Sequence, residues 1–113
     1  MILTALTLHS YFDSGAPGHW SVAGAVELAA EFERLVVSPF VIAELEPLIR
    51  EKFGPEGWCE VLDELAGGAW TIATVDSAHL RAMREHVAEG GTGAEGATCA
   101  EASITALSAL TDS

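Results

Sequence analysis

The pattern of apolar and polar positions reads most clearly at residues 35–46, Leu-Val-Val-Ser-Pro-Phe-Val-Ile-Ala-Glu-Leu-Glu. A run of three apolar residues, two of them β-branched, predicts a short buried strand. Ser38 suits an N-cap, and Pro39 suits the first helical position, where its missing N–H leaves nothing unmade. A helix should then run over residues 39–53, with Val41, Leu45, Leu48 and Ile49 on its inner face. Glu44 falls in the second turn of that helix, near the carboxyl end of the strand. Ligand crevices form at that end in open α/β sheets. In a generic strand–helix unit such a carboxylate is either a solvated helix residue or a site residue.

The same two periods organise the rest. Met1-Ile2-Leu3 predicts a short buried strand, with Thr4 at its carboxyl edge. Residues 5–12 carry Ala5, Leu6, Leu8 and Phe12 at loosely helical spacing, and residues 13–18, Asp-Ser-Gly-Ala-Pro-Gly, are turn chemistry. Over residues 19–33 the helical period returns at Val22, Ala25, Val26, Ala29 and Phe32, leaving Glu27, Glu31 and Glu33 as a solvated face. Pro47 should bend the helix it lies in. Gly54-Pro55 ends that helix and starts another over residues 55–66, which buries Trp58, Val61, Leu62 and Leu65; Gly67-Gly68 stops it. Residues 70–75 alternate and are β-rich, a third strand. Asp76 can cap a helix reaching about residue 88, with Leu80, Met83, Arg84 and Val87 along one stripe. Residues 89–96, with glycine at 90, 91, 93 and 96, predict a loop. A last helix over residues 98–110 turns Ala100, Ile104 and Leu107 inward. Strands alternating with pairs of helices predict the α/β class with a short parallel sheet. A fourth strand would be expected after Leu110, and its absence would leave a sheet edge open, so an oligomer or poor solubility is expected.

Composition narrows the chemistry. At 113 residues the chain is expected to be one domain, residues 1–113, and half of it is hydrophobic, which excludes general disorder. Seventeen acidic residues against five basic ones give a formal charge of −12. That balance argues against a groove that holds nucleic acid through counterion release. It accommodates an acidic site filled by divalent cations, which invert the local charge, or a basic protein partner. Cys59 and Cys99 lack metal-ligand spacing and indicate neither a zinc site nor a disulfide framework. His9, His19, His79 and His86 place no two on one helix face with a third ligand. Trp20, Trp58 and Trp70 read as core or subunit-interface residues, since no basic stripe accompanies them. Without a basic leader or an apolar run of membrane-spanning length, a cytoplasmic chain with no membrane partner is expected.

Four stretches together resemble PIN-domain ribonuclease toxins of the VapBC toxin–antitoxin type. They are Met1-Ile2-Leu3 followed by Ser10-Tyr11-Phe12-Asp13, then residues 37–45 with their Ser-Pro and Ala-Glu-Leu, then residues 62–70, and finally residues 100–107, Ala-Glu-Ala-Ser-Ile-Thr-Ala-Leu. The resemblance implies a PIN-like three-layer α/β/α fold with its final strand missing, so a domain incomplete at the C-terminus. It implies a magnesium- or manganese-dependent endoribonuclease acting on RNA and an antitoxin-like protein partner; the open sheet edge makes a homodimer the expected oligomer. Hard divalent cations need oxygen ligands, which is why the family gathers carboxylates. By resemblance Glu44 is a catalytic, metal-binding acid, and Glu101 is another, standing where the family has an aspartate. Thr4 stands where the family has its first acid and is the weak candidate at that position. The pattern Thr98-Cys99-Ala100-Glu101 is also a capping box, so Glu101 has a structural reading too. Loss of the first acid and of the final acidic residue implies weakened activity. The alternative is an inactive PIN-fold remnant that serves as a protein-binding or dimerising module.

Overall fold

A computed structural model describes residues 1–90 and 98–111, and its organising element is the strand β1, Val36–Val37. Parallel strands present successive residues to alternate neighbours, and β1 uses both sides. On one side, Val36 N–H donates to the Met1 carbonyl at 2.7 Å, and Leu3 N–H donates to the Val36 carbonyl at 2.9 Å. On the other, the Leu35 and Val37 carbonyls accept from Thr71 (2.7 Å) and Ala73 (2.9 Å). The second strand, β2, spans Thr71–Ile72 and pairs with β1 in parallel, Val36 opposite Thr71 and Val37 opposite Ile72. Ile2 adds a single parallel bridge to Val36. The expected strand at residues 70–75 is therefore shorter than its alternation suggests, and the first strand is reduced to that bridge. The Met1 ammonium secures the start by donating to the Arg34 carbonyl at 2.6 Å and pairing with Glu33.

Helices make up most of the chain. They are α1 (Ala5–Phe12), α2 (His19–Phe32), α3 (Pro39–Ala66), α4 (Ser77–Gly90) and α5 (Cys99–Thr111). Thr4 caps α1, its hydroxyl accepting from Thr7 N–H at 3.1 Å. Ser38 caps α3 by accepting from Phe40 N–H at 3.1 Å, with Pro39 in the first turn as the sequence predicts. Inside α3 only Gly54 leaves helical geometry, at φ 70° and ψ −174°, so α3 is two helices joined at that residue. This φ/ψ region is open essentially to glycine alone. Gly57 is required for a different reason: a Cβ there would collide with the Cβ of Phe53. Pro47 keeps helical dihedrals, and the residue of α3 that leaves them is Gly54.

The main core gathers Leu3, Leu8, Val26, Val37, Val41, Leu45, Ile49, Trp58, Val61, Leu65 and Trp70 against the short sheet. Most of the inner faces predicted for α3 and α5 is observed, with Val41 and Leu45 fully buried, but Leu62, expected inside, is 40% exposed. Two faces are rotated from expectation. On α4 the buried residues are His79 and Met83, while Leu80 and Val87 are about half exposed. On α2 Val26 is buried, but Phe32 and Trp20 point outward. Leu6 of α1 is also exposed. The glycine-rich loop predicted at residues 89–96 lies mostly outside the described residues, α4 itself continuing through Gly90. No described helix is long and apolar enough to cross a membrane.

Candidate functional site

The three positions singled out by sequence lie at three helix beginnings. Thr4 precedes α1 at the carboxyl edge of the first strand, Glu44 lies in the second turn of α3, and Glu101 lies in the first turn of α5. All three are exposed. Thr4 is already engaged: besides capping α1, its hydroxyl bonds the Thr7 hydroxyl at 2.9 Å. Its oxygen is therefore an N-cap first. Glu101 N–H donates to the Thr98 hydroxyl at 3.1 Å, one half of the predicted capping box. Among the described residues, no group of three His, Cys, Asp or Glu side chains is close enough to hold a metal ion. Two carboxylates suit a magnesium-type cation that keeps most of its waters, and no more.

The helices that carry Glu44 and Glu101 are tied together beneath the surface. Ser38 Oγ, at the start of α3, lies 2.6 Å from Ser103 Oγ on α5. Ser103 Oγ lies 2.8 Å from His79 Nε2 on α4. All three side chains are buried, and His79 Nδ1 has no hydrogen-bond partner among the described residues. The α4 end of the chain is fixed by Asp76, whose carboxylate accepts from His79 N–H at 3.0 Å. Apart from Ser38, the hydroxyls and imidazole of this network were not visible as a unit in the sequence. Ser103 gives no pattern signal, and His79 sits one position off the apolar stripe that the period suggested. Sequestered from solvent, the triad has no access to substrate; its role is to hold three helices in register.

A separate cavity of about 300 Å³ lies between α1 and α3, lined by Tyr11, Phe12, Ile49, Phe53, Val61, Glu60 and Glu64. None of the predicted ligands faces it. Its aromatic walls are fixed by edge-to-face contacts of Tyr11 with Phe12 (5.2 Å) and with Trp70 (5.4 Å). Glu64 accepts from Trp70 Nε1–H at 3.0 Å. Burial first, then the Glu64 and Glu27 carboxylates, push the Tyr11 phenol above its ordinary value. Such walls suit an apolar side chain. The concave feature and the candidate acids are thus different places, and the acids carry the chemical argument because a phosphate-bound cation needs oxygen ligands, not aromatic walls.

Acid-bearing helices set beside a short parallel sheet define a mostly helical α/β protein compatible with the PIN class. Ribonuclease VapC26 of Mycobacterium tuberculosis is 40% identical over 80 residues, 71% of this chain and 58% of that relative. Over that segment the chain is VapC-like. No family model matches it. The matched segment covers less than two thirds of the relative's length.

Proposed function

We propose that this chain is a PIN-domain toxin-like endoribonuclease, metal-dependent and weakened, with Glu44 and Glu101 as its remaining metal ligands. The observation that carries this reading is the Ser38–Pro39–Glu44 register: Ser38 caps α3 and Glu44 stands exposed six residues on, in a chain 40% identical to a named ribonuclease over 80 residues. A bound magnesium or manganese ion supplies Lewis acidity toward a phosphate oxygen. The chain's own part is to hold α3 and α5 together through Ser38 and Ser103, so that both carboxylates start from fixed backbone. RNA is then the substrate, an antitoxin-like protein the partner, and a homodimer the working state. A three-layer α/β/α arrangement, a single domain over residues 1–113 and a cytoplasmic location complete this reading.

A second reading has its own support. Thr4 is committed to capping, and the acids do not gather in threes among the described residues. Both favour a PIN-fold module that binds protein without cutting RNA.

Titration of manganese into the protein separates the two. The nuclease reading expects saturable binding that is lost in Glu44→Ala and weakened in Glu101→Ala. Thr4→Asp should tighten it, because aspartate caps a helix as well as threonine does and adds a ligand charge at the family's first acidic position. Absence of binding in both the wild type and Thr4→Asp leaves the binding-module reading in place.

A further inference from the structure

The cavity between α1 and α3 combines aromatic walls with charge of a single sign. Helical spacing builds the walls. Ile49 and Phe53 are four apart on the first half of α3, while Gly57, Glu60, Val61 and Glu64 form one stripe on the second half. Gly54 turns the chain between the two halves, and the bare Gly57 leaves room for Phe53, whose Cβ a side chain there would strike. Tyr11 and Phe12 of α1 supply the remaining wall, their rings edge to face. The enclosed space of about 300 Å³ is at the small end for a ligand pocket. Among the described residues no lysine or arginine lines it, and its charged lining groups are Glu60 and Glu64. These two are exposed and one turn apart, where like charges repel. The Tyr11 phenol reports the sign of the field. Burial first, then Glu64 and Glu27, hold it above its ordinary value, and a carboxylate does so only by making the surroundings negative. Phe53 shows that its ring accepts a cation: Lys52 Nζ, its charge matched by Asp13, lies 5.4 Å from the ring centroid.

We propose that this cavity binds a small organic cation, an ammonium group carried on an aromatic or aliphatic body. The body displaces water from Ile49, Phe53 and Val61, and the ammonium stands against an aromatic face in the field of Glu60 and Glu64. Anionic ligands, nucleotides among them, are turned away by the same two carboxylates, because no basic group among the described lining residues offsets their charge. A bare metal ion has no use for aromatic walls. Because the walls come from both sides of Gly54, a bound cation ties the two halves of α3 together. The site uses neither Glu44 nor Glu101, so its failure and that of the nuclease reading are separate results.

Isothermal titration of 2-phenylethylammonium chloride into the full chain tests it, with 2-phenylethanol and phenylacetate as neutral and anionic ligands of similar body. The ammonium should bind saturably and one to one, with a dissociation constant on the order of 1 mM for so small a ligand. The alcohol should bind about tenfold more weakly, and phenylacetate not at all. The double variant Glu60→Gln/Glu64→Gln keeps an acceptor for Trp70 Nε1–H and should bring the ammonium down to the affinity of the alcohol. Phe53→Leu keeps an apolar wall without a π face, and should weaken the ammonium several-fold while leaving the alcohol nearly unchanged. All three substituted side chains are exposed, so these variants should stay folded. Glu85→Gln, an exposed acid on α4, controls for general acidity and should change nothing. Equal affinity for ammonium and alcohol would make the cavity a seat for a neutral apolar group and overturn the proposal. A loss in Glu85→Gln as large as in the double variant would overturn it too, as would the absence of saturable ammonium binding.

Discussion

Ser103 is the residue on which most of the buried polar chemistry depends. Its hydroxyl is the only group in contact with both Ser38 Oγ (2.6 Å) and His79 Nε2 (2.8 Å) among the described hydrogen bonds. The two ends are not equally dependent on it. Ser38 retains Phe40 N–H at 3.1 Å when Ser103 is removed, whereas the imidazole is left with no side-chain partner among the described residues. An unsatisfied buried group costs about 1–3 kcal/mol, while removing both partners of a bond together is close to neutral. Ser103→Ala should therefore destabilise by roughly 1–3 kcal/mol in urea unfolding. His79→Leu should cost less, because it removes the orphaned Nδ1 together with the bond and leaves Ser103 with Ser38. The reverse order of the two midpoints would mean that the imidazole contributes through packing rather than through its hydrogen bond. Ser38 was legible in the sequence because capping is a local rule written in adjacent residues. His79 and Ser103 were not, since the bond between them joins residues 24 apart that no local rule connects.

At the scale of elements, ends were legible and faces less so. Ser38-Pro39, Gly54-Pro55 and Gly67 set the boundaries of α3, and the structure places its start, its break and its end there. Faces are decided by neighbours that the period does not contain. Of the predicted α4 stripe Met83 is buried while Leu80 and Val87 are about half exposed, and His79 takes an inner position because Ser103 supplies a buried imidazole with a partner. A second tie between elements has a measurable pH signature. Asp13, the C-cap of α1, accepts two hydrogen bonds from Lys52 Nζ on α3, at 2.9 and 3.0 Å, and one from Gly15 N–H at 2.9 Å. The Lys52 hydrogen bonds, reinforced by Gly15 and by the charges of Lys52 and His9, hold the carboxyl below its ordinary range. Its folded pKa is the lower one, so its stabilisation is fully present above the unfolded value. It is lost as pH falls from about 4 through the folded pKa. Stability measured against pH should therefore fall less steeply in Asp13→Asn than in the wild type over that acid window. Lys52→Met should flatten the same window. Matching slopes in wild type and variants below about pH 4 would mean that this tie does not set acid stability.

For the molecule as a whole, the charge of −12 is the property from which a test of the metal site follows. A chain with so large an excess of acid repels itself, and any cation stabilises the compact state by screening. Simple stabilisation by magnesium or manganese therefore proves nothing about a site. The two effects separate by stoichiometry and by residue. Screening depends on ionic strength and is spread over all seventeen acidic side chains, so one substitution changes it little. A site saturates, and at a hundred times its dissociation constant it adds about 2.7 kcal/mol. Thermal unfolding in sodium chloride should give a gradual rise in Tm that Glu44→Ala leaves almost unchanged. At matched ionic strength, manganese should give a further rise that levels off, and Glu44→Ala should remove that part alone. On the nuclease reading, the acidity that disfavours an RNA groove is the reason a divalent cation would have to stand between this surface and a phosphate. Equal Tm in the two salts at every ionic strength would leave only screening, and the carboxylates of α3 and α5 would be surface residues of a protein-binding module.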